Sequence, residues 1–105
     1  MMKSITPTEL DQWQKTNEAF QLIDVREPFE AQIASIGGEL MPLGQLSAFV
    51  GQIAKDKKVV VHCRSGKRSA DAIRQLESMG FDNLYNLEGG ILAYSDQVDG
   101  TVPKY

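Results

Sequence analysis

Cysteine, histidine and tryptophan each occur once in the 105 residues. A single cysteine cannot form an internal disulfide, which excludes the small secreted scaffolds that depend on several such bonds. One cysteine next to one histidine, Cys63 beside His62, also cannot supply the ligands of a zinc site. We therefore expect no metal or other cofactor, and a reducing, cytoplasmic setting.

Long apolar runs and an excess of basic residues are absent too. No stretch is long enough to cross a bilayer, and residues 1–7 have no apolar segment of the kind that a signal peptide carries. Eleven basic residues against fourteen acidic ones give a net charge of −3. This balance argues against nucleic acid as a partner. We expect neither a membrane nor a nucleic acid to be bound.

Repeats, low-complexity segments and linkers are also missing, so residues 1–105 are expected to form a single domain. A chain of this length can bury roughly 60–70% of its unfolded surface. Apolar spacing, caps and glycines predict short helices and strands in alternation. The predicted helices cover residues 7–17, 28–33, 43–53, 69–79 and 91–97, and the predicted strands cover residues 20–24, 39–41, 59–61 and 83–87. The pattern indicates an α/β fold with a mainly parallel sheet and helices on both faces.

Cys63 lies where a nucleophile would be expected in such a fold. It ends the run Val59-Val60-Val61-His62, and a short loop with Gly66 separates it from the helix that is predicted to begin near Ser69. Backbone N–H groups of such a loop converge on the strand end and favour an anion. The loop carries three cations that can also lower a thiol pKa, namely Arg64, Lys67 and Arg68. An inert buried thiol is the alternative, but it needs no cationic loop behind it.

Three neighbouring residues are expected to have supporting roles. His62 and Cys63 are adjacent on a strand and point to opposite faces, which argues against a catalytic dyad and favours a structural histidine. Asp24 also ends a predicted strand, and Arg26 follows it. The two can brace the active-site loop through charge-assisted hydrogen bonds, or form an ordinary surface ion pair.

Three motifs follow one another along the chain. They are Leu22-Ile23-Asp24-Val25-Arg26-Glu27-Pro28, then Val60-Val61-His62-Cys63-Arg64-Ser65-Gly66-Lys67-Arg68-Ser69, and finally Leu87-Glu88-Gly89-Gly90-Ile91. In this order they resemble the motifs of single-domain rhodaneses, which are sulfurtransferases. The resemblance implies a rhodanese-like fold in which Cys63 takes up a sulfane sulfur, becomes a persulfide and passes the sulfur to a nucleophilic acceptor. It also implies a substrate-binding loop, which consists of Arg64, Ser65, Gly66, Lys67, Arg68 and Ser69.

The resemblance also implies partners for the reaction. It implies thiosulfate or a cysteine desulfurase as the sulfur donor, and cyanide in vitro as an acceptor. The tail 99–105 resembles the end of rhodanese domains fused to adenylating enzymes, which suggests a small sulfur-carrier protein as another acceptor.

Two positions depart from the pattern of the family. Ser35 stands where many relatives have histidine, and Tyr94 stands where many have tryptophan.

Two other functions use the same fold. Cysteine-dependent phosphatases and arsenate reductases are one alternative, and in protein tyrosine phosphatases five residues separate the cysteine from an arginine. Here four residues separate Cys63 from Arg68, which predicts a smaller ring of amides that suits one sulfur atom better than a phosphate. A non-catalytic binding module is the other alternative, although such modules typically lack the cysteine.

Overall fold

The computed structural model describes residues 2–105 and contains one sheet of five parallel strands. The strands are β1 (Lys3–Ile5), β2 (Phe20–Asp24), β3 (Glu39–Leu40), β4 (Lys58–His62) and β5 (Leu84–Leu87). The helices are α1 (Pro7–Lys15), α2 (Pro28–Ile33), a 3₁₀ helix (Leu43–Gln52), α3 (Lys67–Glu77) and α4 (Gly90–Gln97). The strand order is β1-β5-β4-β2-β3. The predicted α/β fold with a parallel sheet is confirmed.

Strand β4 lies at the centre of the sheet because its side chains are apolar on both faces. Val59, Val60 and Val61 are fully buried. Val59 and Val61 pack into the core that includes α3 and the 3₁₀ helix, and Val60 packs into the core that includes α1 and α4. The uninterrupted apolar run therefore reflects a strand that is covered on two sides.

The register of the sheet brings the predicted site residues to one edge. Asp24 at the end of β2 pairs with His62 at the end of β4. Cys63 follows directly, and its backbone continues toward α3. Ligand sites of parallel sheets lie at this carboxyl edge.

The structure differs from the sequence-based prediction in four places. Strand β1 was not expected, because three residues directly before a helix give little periodic signal. Helix α3 begins at Lys67 rather than near Ser69, because Gly66 caps it in the left-handed region with φ 105°. Residues 43–52 form a 3₁₀ helix. The helix predicted over residues 69–79 ends at Glu77, and Met79 lies beyond it and is 40% exposed.

Within residues 2–105, no helix has the length and apolar composition needed to cross a membrane.

Candidate active site

The Cys63 sulfur accepts hydrogen bonds from backbone amides of the loop and of the first turn of α3. The Gly66 amide lies 3.1 Å from Cys63 Sγ, and the Ser69 amide lies 3.4 Å from it. The Ser69 hydroxyl is 3.5 Å from the same sulfur. Cys63 is only 1% exposed, so these groups replace water around the thiol. The predicted convergence of amides on the strand end is present, and it is built around the sulfur atom itself.

The amino end of α4 turns the loop amides inward. The amides of Ile91 and Leu92 donate to the carbonyl oxygens of Cys63 and Arg64, at 3.0 and 3.2 Å. The carbonyl and the following N–H of a trans peptide point in opposite directions. Because the Arg64 carbonyl points toward α4, the Ser65 amide points back toward the sulfur.

This approach requires glycine at position 90. A Cβ atom there would lie 2.4 Å from the Arg64 carbonyl oxygen and 2.6 Å from that of Cys63. The backbone of Gly90 is also left-handed, with φ 62°. The sequence motif around Gly89-Gly90 therefore has a physical role, which is to let α4 reach the active-site loop.

Hydrogen bonds within the loop lower the pKa of the Cys63 thiol. Burial acts to raise this pKa, but hydrogen bonds from the Ser69 hydroxyl and from the amides of Ser69, Gly66 and Ser65 outweigh it and hold the pKa below its usual value. The ionised Cys63 and the Arg68 guanidinium also attract each other electrostatically, so the expectation that the loop cations favour the thiolate stays a prediction.

Arg68 is bound to a carboxylate instead of facing the loop as a free cation. Its two terminal nitrogens donate to the two carboxylate oxygens of Glu30 on α2, at 2.6 and 2.8 Å. This pairing lowers the pKa of Glu30 to about 2, against the opposing effect of burial, and it raises the pKa of Arg68. The Glu30 carboxylate therefore offsets the charge of Arg68, and the predicted contact of Arg68 with a substrate stays a prediction.

Tyr105 joins this pair to a second buried pair. Its hydroxyl donates to Glu30 Oε2 at 2.6 Å and accepts from Arg26 Nη1 at 2.9 Å. The ring lies beside two guanidinium groups, with its centroid 5.7 Å from Arg26 Cζ and 5.2 Å from Arg64 Cζ. Sequence reasoning missed the roles of Glu30 and Tyr105, because their contacts join positions 75 residues apart.

Asp24 and Arg26 form a buried pair, so the alternative of a surface ion pair is wrong. Arg26 donates to both carboxylate oxygens of Asp24, at 2.9 and 2.7 Å, and both residues are at most 2% exposed. Arg26 also donates to the Ala34 carbonyl at 2.7 Å. Arg26 therefore links the end of β2 by hydrogen bonds to the residue after α2 and to Tyr105.

The remaining loop side chains are exposed. Arg64 donates through Nε to the Tyr105 carbonyl oxygen at 2.7 Å, and a second nitrogen contacts the same oxygen. Ser65 and Lys67 are exposed, and Lys67 has no ion pair or hydrogen bond through its side chain within residues 2–105. Lys67 is thus the loop cation that the fold leaves available.

His62 is fully buried, as a structural histidine would be. Burial lowers its pKa to about 4, so the ring is neutral at physiological pH. Its Nδ1 lies 3.5 Å from the Cys63 carbonyl oxygen, not from the thiol. Its Nε2 has no hydrogen-bond partner among the described residues and lies 3.9 Å from Asp24 Oδ2.

The two positions that depart from the common family pattern have local contacts. The Ser35 hydroxyl accepts from the Gly37 amide at 3.1 Å, and Ser35 is exposed. Tyr94 is 7% exposed, and its hydroxyl donates to Gln14 at 3.2 Å. In this structure neither side chain has a hydrogen bond to the thiol loop.

A groove of about 360 Å³ opens beside the site and is lined by Val25, Glu27, Pro42, Leu43, Gly44, Gln45 and Arg68. A larger groove of about 480 Å³ lies near the amino end of β2 and includes no residue of the thiol loop. The smaller groove is the better candidate for a substrate path, because it reaches the first turn of α3. Among residues 2–105, no cluster of three metal-ligating side chains is present.

Comparisons with known proteins agree with this geometry. A family model described as a rhodanese-like domain matches residues 6–97. A sulfurtransferase of Allochromatium vinosum is 34% identical over 96 residues, which covers 90% of each chain. The crystal structure of a rhodanese-related protein from Thermoplasma volcanium has 33% identity and a TM-score of 0.83, with coverage of 98% of this chain and 99% of that one.

A longer relative matches as well. The probable adenylyltransferase/sulfurtransferase MoeZ of Mycobacterium tuberculosis is 34% identical over 105 residues. The match covers 97% of this chain and 27% of MoeZ, so the chain spans about a quarter of that relative's length. The family model, and the likeness to the A. vinosum protein over 90% of each chain, show that this chain belongs to the rhodanese-like domain family.

Proposed function

We propose that the domain is a sulfurtransferase that moves a sulfane sulfur through a persulfide on Cys63. The observation that carries this proposal is the set of amide donors that converge on Cys63 Sγ, which is itself only 1% exposed. Such donors stabilise a thiolate, which is the nucleophile, and then the anionic persulfide. The names of the A. vinosum relative and of MoeZ support the same reaction class.

The proposed reaction has two displacement steps. The Cys63 thiolate attacks the outer sulfur of thiosulfate, a bond from Sγ to that sulfur forms, and sulfite leaves with the electron pair of the broken S–S bond. Cyanide then attacks the terminal sulfur of the persulfide, a C–S bond forms, and the S–S bond breaks to return the thiolate and release thiocyanate. Neither step needs a general acid, a metal or an outside oxidant.

Protein partners can enter this scheme in two ways. A persulfide on a cysteine desulfurase can replace thiosulfate, because the Cys63 thiolate attacks its outer sulfur and the desulfurase thiolate leaves. A small sulfur-carrier protein is a different kind of acceptor: the Cys63 persulfide anion attacks its adenylated terminal carboxyl group, AMP leaves, and an external thiol then reduces the S–S bond to release the carrier thiocarboxylate. MoeZ, by its name, combines adenylyltransferase and sulfurtransferase activities, which supports a carrier-protein role here. The exposed Lys67 offers positive charge to an anionic donor or an acidic partner. A working thiolate requires a reducing compartment, so a cytoplasmic location is part of the proposal.

The phosphatase alternative is less compatible with the geometry. An oxyanion site would use an arginine to hold phosphate oxygens, whereas both terminal nitrogens of Arg68 are bound to Glu30. The amides of Gly66 and Ser69 also lie within hydrogen-bonding distance of Sγ itself. These features favour one sulfur atom over a tetrahedral oxyanion as the group that the loop holds.

Loop length provides the test between the two chemistries. Insertion of one glycine between Ser65 and Gly66 gives the five-residue spacing from Cys63 to Arg68. We expect this variant to transfer sulfur from thiosulfate to cyanide more slowly, and to bind phosphate or arsenate more tightly than the native chain. A matched control carries one glycine inserted after Gly80, in the exposed turn beyond α3. Equal phosphate affinity in all three proteins, or efficient phosphatase turnover by the native chain, would refute the assignment.

A further inference from the structure

Asn86 on β5 contacts both residues whose backbone amides donate to the Cys63 sulfur. Its Nδ2 donates to the Gly66 carbonyl oxygen at 3.1 Å, and its Oδ1 accepts from the Ser69 hydroxyl at 2.6 Å. Gly66 and Ser69 are also the residues whose amides donate to Cys63 Sγ. Asn86 itself does not contact the sulfur within hydrogen-bonding distance, so any effect on the reaction passes through these two residues.

The orientation of the Asn86 amide determines where the Ser69 proton points. The Gly66 carbonyl can only accept, and it already accepts from the Ala70 amide at 3.2 Å, so the NH₂ group of Asn86 must face it. The carbonyl of Asn86 therefore faces Ser69, and the serine hydroxyl must donate to it. A hydroxyl has one proton, which leaves a lone pair of Ser69 Oγ directed toward Cys63 Sγ at 3.5 Å.

This arrangement suits a protonated thiol and conflicts with a thiolate. The thiol S–H can donate to Ser69 while Ser69 donates to Asn86, and every group then has a partner. After ionisation the sulfur can only accept, and a hydrogen bond to a charged acceptor is roughly twice as strong as one to a neutral acceptor. The Ser69 proton gains more by turning to the sulfur than by staying on Asn86. Ser69 is fully buried, so water cannot supply a substitute donor cheaply.

We propose that Asn86 is a positioning residue that accepts the Ser69 hydroxyl hydrogen bond while Cys63 is a thiol. When the sulfur becomes an anion, the Ser69 hydroxyl rotates and donates to the sulfur instead. The same rotation stabilises the persulfide anion, and this part of the inference rests on the proposed sulfurtransferase function. The change of hydrogen-bond partner itself depends only on the ionisation of Cys63.

Because the Ser69 hydroxyl can donate to only one of the two acceptors, the proposal predicts the direction in which Asn86 changes the effect of Ser69 on the thiol pKa. In the native chain the Ser69 hydroxyl must leave Asn86 to stabilise the thiolate, so part of its benefit is lost. In Asn86→Ala the hydroxyl is free to donate to the sulfur at no such cost. Ser69→Ala should therefore raise the thiol pKa more in the Asn86→Ala background than in the native chain. We expect a difference of about 0.5–1 pKa unit, which is about a three- to tenfold change in ionisation.

The test is a double-mutant cycle of the native chain, Ser69→Ala, Asn86→Ala and the double variant. The rate of Cys63 alkylation by iodoacetamide is measured against pH for each. Loss of the Asn86 contact to Gly66 loosens the loop equally in both Asn86→Ala proteins, so this structural effect cancels in the cycle. The charged and titratable groups that surround the sulfur are the same in all four proteins: Asp24, Arg26, Glu30, His62, Arg64, Lys67, Arg68 and Tyr105.

A larger Ser69→Ala shift in the Asn86→Ala background supports the proposal, and equal or smaller shifts would overturn it. Thermal unfolding shows which variants fold, and Asn86→Leu replaces Asn86→Ala if the smaller side chain prevents folding. Alkylation reads the thiol without any sulfur donor. A native chain that fails to transfer sulfur would refute the proposed function and leave the result on Asn86 intact.

Discussion

Gly90→Ala tests whether α4 sets the direction of the loop amides. The added Cβ would lie 2.4 Å from the Arg64 carbonyl oxygen, and real Cβ contacts are essentially never shorter than 3.0 Å. The two segments must separate by at least about 0.6 Å, the difference between those distances. Both neighbours are backbone, so no side chain can rotate away. The hydrogen bonds from Ile91 and Leu92 to the loop carbonyls are then lengthened or lost.

We expect the Cys63 thiol of this variant to have a higher pKa and to react more slowly. A hydrogen bond to a charged group contributes roughly 1.5–3 kcal/mol, so loss of one amide donor raises the thiol pKa by about 1–2 units. The same change lowers the ionised fraction at neutral pH by up to about a hundredfold. Iodoacetamide alkylation against pH measures the midpoint, and thiosulfate-to-cyanide transfer measures the activity.

Gly80→Ala is the matched control. Gly80 also has a left-handed backbone, with φ 96°, but nothing lies within 4 Å of a Cβ at this position. Both variants carry backbone strain of about 1–2 kcal/mol, and only Gly90→Ala adds the clash with the loop. A Gly90→Ala protein that folds and keeps the native alkylation midpoint would show that α4 does not orient the amides.

Two further predictions concern the buried polar groups. The pKa of His62 is about 4 in the folded chain and 6.5 ordinarily. Below about pH 6.5 the unfolded chain therefore takes up a proton that the folded chain does not, and the free energy of unfolding falls as the pH drops toward 4. Urea unfolding should show that the free energy of unfolding of the native chain falls by roughly 2 kcal/mol between about pH 7.5 and about pH 5, and that of His62→Leu falls much less. Equal decreases in the two proteins would show that His62 is not the cause. Tyr105→Phe should lower the free energy of unfolding by about 1 kcal/mol and raise the Glu30 pKa, because the hydroxyl bonds both Glu30 and Arg26. Tyr94→Phe, which loses one bond to Gln14, is the control, and a larger effect there than at Tyr105 would count against the proposed network.

The sequence was sufficient to predict features with a local cause. Val59, Val60 and Val61 identify a central strand because only a strand covered on both faces is apolar at successive positions. The position of Cys63 follows from the strand end, Gly66 and the helix behind them. These patterns lie within about ten residues of one another, and local backbone rules decide them.

Features with a long-range cause could not be predicted. The pairing of Arg68 with Glu30 joins two different helices, and nothing in the local pattern around Arg68 indicates it. Tyr105 is distant in sequence from Arg26 and Glu30, and nothing in the tail pattern indicates that its hydroxyl lies between them. Gly90 was recognised only as part of a family motif, since its contact with the Arg64 carbonyl exists only in the folded chain.

The most direct test of the central claim is the intact mass of the protein after exposure to thiosulfate, with and without subsequent cyanide. The native chain should gain the mass of one sulfur atom, lose it when cyanide is added, and release thiocyanate. Cys63→Ser should show none of these changes, although Ser69 and the loop amides remain in place. A native chain that gains no sulfur from thiosulfate or from a desulfurase persulfide, or a Cys63→Ser variant that still transfers sulfur, would contradict the account.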